Sequence, residues 1–238
     1  MSIPSNSGPV KFRRRYDSRL REAQAAQTRQ GIIAAALDLF FDQGYAETTI
    51  AGIAEAAGVA VETIYRAFGS KATLFKSVVE AAVAGGAARA TVPVEQRPAI
   101  KQMIEEQDPR RLLERHAATQ PGIHARAGPL YRALNEAAAS EPELEQVWAQ
   151  LEAQRLDGMK SIARLLSDRG ALRPGLSVRE AADVLWTINS LAVYDLLVMQ
   201  RGWSPQRYRD WIAATNAQAI LAGGAKPIPS RASKRGGR

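Results

Sequence analysis

Cysteine does not occur among the 238 residues. Its absence removes disulfides, thiolate zinc sites and cysteine nucleophiles together. Histidine occurs twice, as His116 and His124, and no carboxylate spacing completes a metal site around the pair, so no metal is expected. Long apolar runs are missing too. The most apolar stretch, Leu191 to Met199, is interrupted by Asp195, so no membrane span and no membrane partner are expected. The opening MSIPSNSGPVKFRRRYDSRL has no apolar core of a signal peptide. β-Branched runs alternating with period two are not found, which argues against a sheet. G-x-S-x-G, H-E-x-x-H, Walker and Rossmann patterns are all absent. No catalytic residue, no enzyme activity and no cofactor are therefore expected.

What is present is apolar residue and positive charge. Apolar residues make up 46% of the chain, enough for a sizeable core and against global disorder. The net charge is +8, and its placement is the more informative quantity. Residues 1–29, with Lys11, Arg13, Arg14, Arg15, Arg19, Arg21 and Arg29 against Asp17 and Glu22, carry a net +5. The tail 226–238 carries another +5 and no acid, whereas residues 30–90 are net −2. Basic flanks on a neutral globule suggest a polyanion, most often nucleic acid; a solubility role is the alternative.

Helix signals fill the rest. Between Gln24 and Gln43, Ile33, Ala36, Leu37 and Phe40 fall on one helical face, and Gly44 is placed to end the helix. Thr49 is an N-cap for a short helix with Ile50, Ile53, Ala54 and Ala57 inward, broken by Gly58. A third helix covers roughly residues 60–67, stopped by Gly69, and Ser70 caps a fourth over 71–88. Beyond a boundary near 88–97, helices are expected at 98–117, 128–139, 142–168, 178–200 and 205–222. Ser140 to Glu143 and Ser177 to Glu180 read as capping boxes, and Ser204-Pro205 as an N-cap followed by proline.

Two short helices around a tight glycine turn, Thr49 to Phe68, form a helix-turn-helix pattern, which by itself is also an ordinary helical hairpin. The surrounding residues sharpen it: A-A-x-x-L-F at 35–40, G-Y-x-x-T-T at 44–49, I-A-x-x-A-G-V at 53–59, T-I-Y-x-x-F at 63–68 and S-K-x-x-L at 70–74. Together they closely resemble the DNA-binding domain of the TetR/AcrR family of transcriptional regulators. The resemblance implies an all-α fold, with an N-terminal three-helix helix-turn-helix domain and a C-terminal helical bundle for ligand sensing and dimerisation. The division expected is a basic flexible arm at 1–25, the DNA-binding domain at 26–88, the ligand-binding and dimerisation domain at 98–222 and a disordered basic tail at 223–238.

In such a motif the second helix enters the major groove with its N-terminal residues near base edges, here Val61, Glu62 and Thr63. The resemblance places Tyr65 against phosphate; Lys71 and Thr49, each at a helix start, suit phosphate too. Arg66 suits phosphate or guanine, and the basic arm with Arg13, Arg14 and Arg15 supplies positive charge to the acidic head, along a minor groove. Ala60 departs from the usual Ser or Thr cap. The partners implied are a double-stranded operator, a second copy through helices 178–200 and 205–222, and an unknown small-molecule effector. Its candidate contacts are Met103, His116, Tyr131, Trp148, Trp186 and Asn189, each equally readable as core packing. The function implied is a repressor released from a palindromic operator by that ligand, cytoplasmic and nucleoid-associated. A TetR-like activator or a ligand-free architectural protein is the alternative.

Overall fold

The computed structural model describes residues 10–139 and 141–223, with side chains from Leu20 onward. Every element among them is helical except for one isolated antiparallel bridge, Leu172 to Leu221. The helices are α1 Val10–Glu47, α2 Ile50–Ala57, α3 Val61–Phe68, α4 Lys71–Ala84, α5 Ala87–Ala90, α6 Pro98–Glu105, α7 Pro109–Ala138, α8 Pro142–Asp168, α9 Val178–Ile188, α10 Leu191–Tyr194 and α11 Pro205–Ile220.

The chain forms two compact units. One contains residues up to Pro93 together with Ala125–Leu151; the other contains Val94–His124 and the chain from Glu152 onward. The expected 98–222 domain is thus divided. The middle of the chain, where α7 ends and α8 begins, packs with the N-terminal helices because Leu130, Leu134, Leu144, Val147 and Leu151 complete their apolar cluster. Phe75 is the centre of that cluster. It is fully buried and meets Phe40 and Tyr45 edge-on at centroid distances of 4.8 and 5.2 Å. Truncating such a residue costs about 3–5 kcal/mol.

Several element boundaries differ from the sequence reading, each for a local reason. α1 begins at Val10 rather than Gln24, so residues 10–25 are helix and not a flexible arm; their Arg, Leu, Glu and Ala are good helix formers. The 98–117 helix is split. Asp108 Oδ1 accepts from the Arg110 and Arg111 N–H groups (2.8 and 3.1 Å) and starts α7 afresh before Pro109. α7 then runs through Pro121 and Pro129, where each proline removes one backbone bond but the burial of its neighbours holds the helix. The expected tail from 224 on lies outside the described residues.

The expected 178–200 helix is broken as well. Asn189 ends α9, and Ser190, with extended backbone, caps α10 by accepting from the Val193 N–H (3.3 Å). Residues 195–200 follow as a wider, π-type turn. By length and composition Val178–Gln200 is apolar enough to cross a bilayer, which the sequence reading did not anticipate. The break at Asn189–Ser190 opposes that use, because a bilayer supplies no partner for interrupted backbone groups.

Candidate nucleic-acid interface

The geometry of the first unit follows from how α1 ends. Gly44 takes φ 75°, which halts the helix. The buried Thr48 hydroxyl then donates to the Gly44 carbonyl at 2.7 Å. This turn sets Thr49 as the N-cap of α2, its side chain accepting from the Gly52 N–H at 3.0 Å. Gly58, left-handed at φ 64°, turns the chain from α2 into α3. α2 buries Ile50, Ile53 and Ala54, and α3 buries Ile64 and Phe68.

With Ile64 and Phe68 inward, the other face of α3 is fixed. Glu62, Tyr65 and Arg66 are exposed, and Val61 and Thr63 are half-buried. Tyr65 is 51% exposed, a large ring left in water on the outward face of the helix. Ala60 occupies the N-cap position with no side-chain hydrogen bond, so the first N–H groups of α3 have no side-chain acceptor there. Two cations hold the motif from behind. The Arg29 guanidinium lies 4.0 Å over the Phe68 ring and donates to the Ala67 carbonyl and the Ser77 hydroxyl. The Lys71 ammonium lies 4.2 Å from the Tyr45 ring centre and donates to the Ala46 carbonyl at 3.4 Å. Burial lowers the Lys71 pKa, opposed by the charges of Glu141 and Glu47. Burial, aided by Glu141 and Glu143, pushes Tyr45 up to about 12. Lys71 therefore turns toward the end of α1.

Thr49, Val61, Glu62, Thr63, Tyr65, Arg66 and Lys71 all fall on the helix-turn-helix or the turn beyond it. The side chains of Arg13, Arg14 and Arg15 lie outside the described ones, although their backbone belongs to α1.

The candidate effector residues fall in both units. Tyr131 and Trp148 pack edge-on at 6.1 Å in the core of the first unit. Met103, His116, Trp186 and Asn189 belong to the second. Around His116 and Asn189 the second unit carries a buried polar group that the sequence reading did not assemble: Gln120, His124, Tyr194, Tyr208 and Asn216. Spacing alone could have linked His116, Gln120 and His124, which stand four residues apart on α7; Asn216 and Tyr208 come from another helix. The same unit has an open groove of about 670 Å³ lined by Glu106, Arg110, Arg115, Arg209 and Asp210, among others. Its Arg115 is paired with Glu106 and its Arg209 with Asp210, so much of its charge is already satisfied.

An exposed helix face behind a capped turn, on a rigid three-helix head, defines a helix-turn-helix DNA-binding regulator. Residues 32–78 match the family described as bacterial regulatory proteins, tetR family. Over 210 residues the chain is 27% identical to the HTH-type transcriptional repressor BepR of Brucella suis biovar 1 (strain 1330), covering 86% of this chain and 97% of BepR. It resembles the crystal structure of a TetR-family regulator from Mesorhizobium loti MAFF303099, with TM-score 0.61 and 23% identity over 83% of this chain and 98% of that one. It also resembles a transcriptional regulator from Saccharomonospora viridis solved with choline, with TM-score 0.59 and 19% identity over 82% and 98% of the two chains. The chain is thus similar to TetR-family regulators, by sequence over residues 32–78 and by fold over most of its length.

Proposed function

We propose that the protein is a dimeric repressor that binds a palindromic operator and is released from it by a small molecule. The observation that carries this reading is the outward face of α3, where Glu62, Tyr65 and Arg66 are exposed while Ile64 and Phe68 anchor the helix. A helix held this way enters a major groove N-terminus first, so Val61, Glu62 and Thr63 meet base edges. Tyr65 and Thr49 take phosphates, Arg66 reads a base, and Lys71 and the backbone at the start of α4 take phosphate. Arg13, Arg14 and Arg15 add positive charge to a head that is otherwise net acidic.

Two copies are required to read two half-sites about 34–36 Å apart. Leu196 and Met199, 53% and 62% exposed, support a dimer through the segment from α9 to α11. Helices α7 and α8 supply residues to both units. An effector that favours one arrangement of these helices therefore shifts the population of DNA-competent dimers.

Fluorescence anisotropy with DNA from upstream of the protein's own gene tests this. Tyr65→Ala should weaken every sequence alike, and Arg66→Ala should alter preference among operator variants. Uniform loss for Arg66→Ala makes that residue a phosphate contact instead. Absence of saturable, sequence-dependent binding would overturn the proposal.

A further inference from the structure

The second unit keeps more unpaired polarity in its interior than a folded core tolerates without reason. His116, Gln120 and His124 lie on one face of α7, with 3, 7 and 8% of their surface exposed. His124 stacks 4.9 Å from Tyr194 and stands 6.1 Å from Tyr208, and the two tyrosine rings meet edge-on at 5.1 Å. Where α9 breaks, Asn189 donates to the Leu185 carbonyl at 2.7 Å and accepts from Asn216 Nδ2 at 3.3 Å. His116 Nδ1, His124 Nε2, Tyr208 Oη and Asn216 Oδ1 are nevertheless buried without a partner. Native interiors hold few such atoms, because each carries its full desolvation penalty. Leucine and phenylalanine at these positions would make a cheaper core.

We propose that this cluster of α7, α9 and α11 is the effector site, and that it takes an uncharged, flat molecule bearing both a hydrogen-bond donor and an acceptor, of the phenol or aromatic amide class. The proposal rests on the reading of the protein as an effector-released regulator. Charge selects the class. Burial drives the pKa of both histidines down to about 4, so they are neutral at physiological pH. Arg155, whose charge acts on His124, is already engaged: it donates to Glu152 at 2.8 Å and to the Trp186 carbonyl at 2.6 Å, and lies 4.4 Å over the Trp186 ring. A carboxylate would meet there a cation already paired with Glu152. A quaternary ammonium would find Arg155 on the tryptophan face it needs. Hydrogen bonding narrows it further. The Gln120 amide donates to His116 Nε2 at 3.1 Å, which leaves Nδ1–H as a donor. His124 is bonded to the Asn189 backbone, which leaves its Nε2 as an acceptor, and Asn216 Oδ1 is a second buried acceptor without a partner. Tyr194 and Tyr208 give flat walls to a ring.

The test uses the full-length protein without DNA and three probes of one size: 4-hydroxybenzamide (neutral), 4-hydroxybenzoate (anion) and phenyltrimethylammonium (cation). Binding is followed by tryptophan fluorescence and by the shift in Tm. The neutral probe should bind at least tenfold tighter than either ion. Tyr208→Phe should lose about tenfold in affinity for it while keeping or raising the Tm of the free protein, because it deletes an unpaired hydroxyl and little else. His124→Leu should abolish binding. Preference for an ion, no binding of the neutral probe at millimolar concentration, or a Tyr208→Phe protein of lower Tm with unchanged binding would each overturn the site. A fourth measurement separates this from the wider reading. If the neutral probe binds but operator affinity does not change, the site stands and release by effector fails; if DNA binding is intact and no probe binds, the reverse holds.

Discussion

Arg29 covers Phe68, its guanidinium 4.0 Å over the ring, and thereby ties α1 to the last turn of α3. The same guanidinium bonds the Ala67 carbonyl and, at 3.2 Å, the Ser77 hydroxyl, so one side chain joins α1, α3 and α4. Arg29→Ala removes two charge-assisted hydrogen bonds and a cation–π contact from a half-buried position, and should cost about 1–3 kcal/mol. DNA affinity should fall with it, since the aim of α3 is loosened. Arg29→Lys should recover only part, because an ammonium cannot serve three elements in one plane. Urea unfolding and anisotropy on the two variants check this; wild-type stability for Arg29→Ala would show the clamp to be idle.

The start of α3 offers a gain rather than a loss. Ala60 has the extended backbone of an N-cap, φ −73° and ψ 148°, but no side chain to use it. Ala60→Ser supplies a side-chain acceptor to the N–H groups of the first turn, of which Thr63 already bonds the Ala60 carbonyl at 2.9 Å, and should stabilise the protein by about 0.5–1.5 kcal/mol. Thermal unfolding measures it. A lower Tm would mean that Ala60 is fixed by packing, not free to cap.

The three-helix head was legible because its signals are local. Gly44, Thr49, Gly58 and Ser70 each act within four residues, and the structure has them at φ 75° and 64° for the glycines and as N-caps for the other two. The second half was read less well because its decisive interactions are distant in sequence. Nothing near Asn189 announces that Asn216 and His124 will meet it and that the helix will break there. The gap expected between helices at 98–117 and 128–139 is closed in the structure, where burial of Ala117, Ala127 and Leu130 carries α7 through Pro121 and Pro129. Likewise Tyr131 and Trp148 looked like pocket residues because aromatic chains suit pockets and cores equally.

The proposed dimer surface is narrower than the full extent of helices 178–200 and 205–222. Tyr194, Ala182 and Leu185 are buried within their own protomer, so substitutions there report on folding. Leu196 and Met199 are the large apolar residues left in water along 178–220. A charge at either, Leu196→Glu or Met199→Glu, should convert a dimer to monomers of 25.8 kDa without lowering helicity, because a buried unpaired carboxylate in the interface is costly while an exposed one is not. Light scattering with circular dichroism decides. Dimers unaffected by both substitutions would move the interface elsewhere.

Acid should destabilise the protein in a window set by the two buried histidines. In the folded chain burial holds His116 and His124 at about 4, against 6.5 for a free imidazole; Arg155 adds to the shift at His124. Above pH 6.5 neither state binds these protons, and stability is independent of them. Between 6.5 and 4 the unfolded chain takes up protons that the folded one refuses, so stability falls as pH falls. Each histidine contributes about 1.4 kcal/mol per pH unit in that range, and below 4 no further loss comes from them. Glu106, Asp108 and Glu180 are also held below their ordinary values, by hydrogen bonds from Arg115, from the backbone of Arg111 and Arg110, and from Ser177. Those carboxylates act only below their free values of 4.5 and 3.8, which leaves pH 5–6 to the histidines. Urea unfolding at pH 7.5, 6 and 5 should therefore show a loss of about 1–2 kcal/mol in the first step and a further loss of about 2–3 kcal/mol in the second. His116→Leu and His124→Leu should each remove roughly half of that slope. A flat profile between pH 6 and 5 in the wild type would mean that both rings accept protons in the folded state, and that the interior around them is wetter than its burial implies.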